Sequence, residues 1–136
     1  MKTIARLLPV LTACALAAPA LAQDDEFAAG RGEYLAACAA CHGENADGNG
    51  PIGTMFTTPI PDLRKITARN DGVFPTLKIF MIVDGRTGIK AHGDPMPLFG
   101  NRYEAEVGES GGPFGSEQLV RARVLELVYY LESIQE

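Results

Sequence analysis

The chain has 136 residues, a length that suits one domain. Its 17 acidic and 12 basic side chains leave a net charge of −5, which excludes an electrostatic nucleic-acid binder, since that needs a basic face. It has no tryptophan, and its 4 tyrosines and 6 phenylalanines are few for a small core, so something besides side chains is a candidate to fill the middle.

The first element is a leader. Lys2 and Arg6 precede an apolar run from Leu7 to Ala18, and Ala20 and Ala22 are small residues suited to signal peptidase. Residues 1–22 are expected to be a cleaved signal peptide and 23–136 a single domain. The run is too short for a membrane span. Leu11-Thr12-Ala13-Cys14 resembles a bacterial lipobox, and a membrane would be a partner only if the chain were lipidated at Cys14; cleavage after Ala22 with a soluble product is the preferred expectation. Removing Lys2 and Arg6 leaves 10 basic against 17 acidic residues, a balance of −7, which suits a partner with a basic or neutral docking patch as well as plain solubility.

Next, Asp24, Asp25 and Glu26 precede an alanine-rich run to Cys38. Acids favour the start of a helix and alanine its interior, so a helix should end at "CAACH". After cleavage, Cys38 and Cys41 are the remaining cysteines of the chain. A disulfide or a redox dithiol could use them. Zinc is poorly served, because no second cysteine–histidine pair completes four ligands. Covalent haem attachment is the reading that also uses His42: two sulfurs one helical turn apart form thioethers to the two vinyl groups, and the next histidine binds the iron. One such motif means one haem c.

Gly43, Gly48, Gly50, Pro51 and Gly53 cannot sustain helix or strand, so an irregular loop follows. "PDLRKITAR" could form a short helix. "FPTLKIFMIVDGR" is a clearer one, with Pro75 at its start and Gly85 at its exit. Leu77, Ile79, Phe80, Met81, Ile82 and Val83 make it apolar all round, so it should be buried on most sides. Met96 stands between Pro95 and Pro97, which fix φ and make a stiff loop able to hold a thioether. That makes it the expected second iron ligand, ahead of Met55, Met81 and His92; Leu98 and Phe99 would close the crevice. The stretch from Glu109 to Gly115 reads as a loop. A last helix is expected from about Ser116, its cap, to near Ile134, with Val120, Val124, Leu127, Leu131 and Ile134 forming one apolar stripe.

These motifs resemble the class I c-type cytochromes of the bacterial periplasmic kind over nearly all of the mature chain. Gly30, Tyr34 and Cys38 step by four as on that family's first helix. "ACAACHG" is its haem site and "GNGP" follows. "FP" and "DGR" bracket a middle helix. "DPMPLFG" is similar to the loop that supplies the second iron ligand, and "LVYYLESIQE" to the closing helix. The resemblance implies an all-α fold of about four to five short helices around one covalently attached haem. It also implies a crossing of the last helix at Gly30 through Leu127 and Tyr130, and a loop covering the histidine face, where Pro51 would offer its carbonyl to the other nitrogen of His42. Arg86, with Arg64 and Arg69, is a candidate partner for the propionates. Tyr34, Phe56, Phe74 and Phe99 are candidates to line the pocket.

The function these features imply is one-electron transfer in the periplasm, not catalysis, between redox partner proteins: a dehydrogenase or quinol-oxidising complex on one side and a terminal acceptor on the other. Methionine opposite histidine raises the potential and fills the sixth position. A dedicated subunit of a periplasmic oxidoreductase is the alternative. A haem ligand sensor or peroxidase with a labile sixth site is a third, disfavoured because five-coordinate helical-bundle cytochromes carry the haem motif near the end of the chain.

Overall fold

A computed structural model describes residues 25–86, 99–108 and 112–136, apart from the side chain of residue 113. The expected signal peptide, Cys14, His92 and Met96 lie outside the described residues. Within them the regular structure is helical throughout, without a strand: α1 (Ala28–Ala37), α2 (Ala39–His42), α3 (Thr76–Asp84), α4 (Phe99–Val107) and α5 (Gly112–Ser133), with short 3₁₀ turns at Gly53–Met55, Leu63–Lys65 and Ala68–Asn70. The all-α expectation holds.

The core forms where α1, α3 and α4 each lay a face on α5. Val120, Val124, Leu127 and Leu131 are buried there, as the stripe predicts, and Val128 widens it. Ile134, past the helix end, is half-buried. Tyr34, Val83, Phe99 and Tyr103 complete the cluster. At the α1–α5 crossing a Cβ on Gly30 would fall on the Glu126 carbonyl oxygen and lie 2.8 Å from Tyr130 Cβ. The expected close approach is therefore real. Tyr130 takes part in it, its ring 5.4 Å from that of Tyr34, while the backbone contact comes from Glu126, the neighbour of Leu127. Arg123 adds a polar tie, reaching Glu33 of α1 (2.7 Å) and Glu106 of α4 (2.8 Å) while its guanidinium lies 4.0 Å from the centre of the Tyr103 ring.

Four elements differ from expectation. The helix α4 has no counterpart in the sequence reading beyond Phe99, although Phe99, Tyr103 and Val107 stand four apart and Arg102 pairs with Glu106 one turn on at 2.8 Å. The closing helix starts at Gly112, so 112–115 are not loop. Ser116 does not cap it; its Oγ donates to the Gly108 carbonyl (2.7 Å) and ties α5 to the end of α4. Finally, α3 ends as predicted, with Gly85 at φ 71° and its N–H on the Met81 carbonyl (3.0 Å), but it is not buried on most sides. Only Val83 and Asp84 are buried, and Leu77 is 72% exposed, because protein covers only part of its surface. "PDLRKITAR" forms two 3₁₀ turns instead of one helix.

Candidate functional site

Cys38 closes α1, its N–H on the Tyr34 carbonyl, and α2 follows at once as a single turn bearing Cys41 and His42. A four-residue helix has no internal partners for its carbonyls. Here the following loop supplies all of them. Gly43 N–H bonds the Ala39 carbonyl (2.8 Å), Ile52 that of Ala40 (3.0 Å), Gly50 that of Cys41 (3.1 Å) and Gly48 that of His42 (2.8 Å). The glycines are required. Gly43 and Gly48 have φ of 81° and 86°, and a Cβ on Gly50 would fall on the Cys41 carbonyl. Tyr34 pins the same loop from α1, its hydroxyl donating to the Gly43 carbonyl at 2.6 Å. Ala46 is held at φ 58°, a left-handed conformation costing roughly 1–2 kcal/mol. It is fully buried, and its carbonyl accepts the Leu63 N–H at 2.8 Å.

That last bond swings the next segment under the histidine. His42 is 7% exposed, and the Pro61 carbonyl oxygen lies 3.4 Å from its Nδ1. The expected donor of that carbonyl, Pro51, is exposed on the surface. Gly50 and Ile52 bond the carbonyls of Cys41 and Ala40 on either side of it, and it is the Pro61 carbonyl that lies beside His42 Nδ1.

The cysteines are free thiols and half-buried. Burial, reinforced by the neighbouring Cys41, pushes the Cys38 thiol up to about 12. A reactive redox thiol has instead a lowered pKa, which supplies thiolate. Among the described residues no three His, Cys, Asp or Glu side chains gather to hold a metal ion.

The other candidates disperse. Met55 is 79% exposed and Met81 is half-buried in α3. Tyr34 and Phe99 are core residues, whereas Phe56 and Phe74 are half-buried. Arg86, expected on a propionate, pairs with two protein carboxylates: its Nε and Nη2 reach Asp84 Oδ1 (2.9 and 2.7 Å) and its Nη1 reaches Glu117 (2.6 Å). Arg64 binds Asp62 and Glu136, and Arg69 donates to the Asp62 carbonyl.

Compared with known protein families, residues 27–135 match the family described as Cytochrome c. The chain belongs to the cytochrome c family. No curated protein and no solved structure matches it. The cytochrome c family implies covalently bound haem c and a role in electron transfer, and the residues present fit that group. Two thiols and a buried imidazole share one turn of chain. Cys38, Phe74, Ile79 and Phe80 are partly buried against the same core, and α3 offers the apolar surface that a flat apolar ring would cover. No helix among the described residues is long and apolar enough to cross a membrane.

The segment under His42 carries its own charge lock. Hydrogen bonds from Arg64 hold the Asp62 carboxyl well below the usual carboxylate range, at about 2. A carboxyl depressed in the folded state stabilises above its unfolded value, about 3.9, and loses that contribution as pH falls toward the folded one. Stability should therefore drop between pH ~4 and ~2, and Asp62→Asn should lose stability at pH 7 while flattening that acid limb. Urea titrations of the two proteins from pH 7 to 2 check it; parallel curves would remove the assignment.

Proposed function

We propose that this chain is a monohaem cytochrome c that carries single electrons in the periplasm after export on a cleaved signal peptide, residues 1–22. Cys38 and Cys41 hold the haem c as thioethers. His42 and Met96 would be the residues that bind its iron, and the Pro61 carbonyl beside His42 Nδ1 would orient the imidazole. The observation that carries this reading is the single turn bearing Cys38, Cys41 and buried His42, with all four of its carbonyls bonded by the following loop. Bound there, the group supplies a one-electron ferric–ferrous couple. The protein's part is to keep the ligands still: Pro61 orients the imidazole, and the bonds from residues 43–52 fix the turn itself. The acidic surface suits docking to redox partner proteins with basic patches, so exchange with them should slow as salt rises.

The mass of the exported polypeptide should include one tetrapyrrole. The ferric protein should show the weak far-red sulfur-to-iron absorption, which Met96→Ala abolishes and His92→Ala leaves. Carbon monoxide should bind the reduced protein only slightly. Rapid stoichiometric binding would refute the carrier and favour a labile sixth site; an effect of His92→Ala in place of Met96→Ala would move the ligand.

A further inference from the structure

Past the end of α5, one amide side chain reaches across to the histidine side of the site. Gln135 Nε2 donates to the carbonyls of Leu63 (2.9 Å) and Leu131 (2.6 Å), and its Oε1 accepts the Thr67 N–H (2.9 Å). Leu63 is thus held at both backbone groups, its N–H by Ala46 and its carbonyl by Gln135. Two residues before it stands Pro61. Proline has no N–H of its own to be anchored by, and Pro61 is exposed. The place of its carbonyl is inherited from the pinned residues that follow. Asp62 stiffens the link, accepting the Arg64 N–H at 2.9 Å and its guanidinium at 2.8 Å.

We propose that Gln135 is a positioning residue for the axial histidine: by fixing Leu63 and Thr67 it sets how closely the Pro61 carbonyl approaches His42 Nδ1. The proposal rests on the haem reading above. A hydrogen bond at Nδ1 orients the ring and makes the imidazole a more basic ligand, which favours the ferric state. At 3.4 Å the contact is already longer than the usual ~2.7–3.2 Å, so a small further drift of Pro61 weakens it steeply. Gln135 is uncharged, so removing it alters no net charge around the iron.

The test uses the haem-loaded full chain. Gln135→Ala, and Gln135→Met, which keeps the side-chain length without the amide, should both raise the reduction potential. The expected rise is about a threefold increase in the reduced-to-oxidised ratio at fixed ambient potential, or about 30 mV at 59 mV per tenfold for one electron. Ser133→Ala, a neutral change on the same helix end whose hydroxyl donates to the Tyr130 carbonyl, should leave the potential in place. If the Gln135 variants melt earlier but keep the wild-type potential, Gln135 is a staple only and the proposal is overturned; an equal shift in Ser133→Ala overturns it too. A wild-type chain without covalent haem overturns the reading beneath it and the proposal with it.

Discussion

Gly30→Ala should lower the unfolding free energy by about 3 kcal/mol, whereas Gly32→Ala, two residues along the same helix, should raise it by about 0.5–1 kcal/mol. Both changes give α1 the same intrinsic gain, because alanine forgoes the backbone entropy that glycine loses on ordering. They differ in what the new methyl meets. At Gly32 there is nothing within 4 Å. At Gly30 the methyl falls on the Glu126 carbonyl, backbone inside α5, with Tyr130 Cβ 2.8 Å away. A helix backbone cannot step aside without moving Val124, Leu127, Val128 and Leu131, all buried, so the clash outweighs the propensity gain. Urea unfolding of the two variants beside wild type decides it. Equal signs would mean that α1 and α5 do not cross at Gly30.

Arg86→Ala should cost about 3 kcal/mol. Asp84 is 4% exposed, and among the described residues Arg86 is the cation on its carboxylate, at 2.7 Å. A buried pair that loses one member leaves an uncompensated charge, which costs far more than the pair itself contributes. Gly100 packs closely on it: a Cβ there would come within 2.5 Å of the same carboxylate. The Glu117 arm of the cluster is more open and is worth little, so Glu117→Gln should cost under about 1 kcal/mol. Asp84→Asn placed on top of Arg86→Ala should recover most of the loss, since an amide can stay neutral there. Chemical denaturation of the single and double variants measures this, and a loss below about 1 kcal/mol for Arg86→Ala would show the carboxylate is not stranded.

Helices with one-sided patterns were legible from sequence. The stripe on α5 and the alanine-rich run of α1 announce themselves because burial and propensity agree. So did the turn at Cys38, Cys41 and His42, since its chemistry is local. What escaped was set by contacts between distant residues. Residues 112–115 look like loop by composition, yet they form the first turn of α5, where Ser116 reaches back to Gly108. Pro51 is nearer to His42 in the chain, but Pro61 arrives under the ring because Leu63 bonds Ala46. Arg86 read as a candidate propionate partner because nothing local showed that Asp84 is buried and that Glu117, on another helix, faces it. The four-residue steps of Phe99, Tyr103 and Val107 were visible and would have found α4.

The crossing at Gly30 also governs when this chain can fold. Gly30 and Glu126 are 96 positions apart, so the first helix finds its main support in the last one. Contacts so remote are slow to form, because the ends of a long segment must meet before any burial rewards the encounter. Local bonds from residues 43–52 can close the turn at Cys41 and His42 early, whereas the long-range support of Tyr34 and α1 must await the last helix.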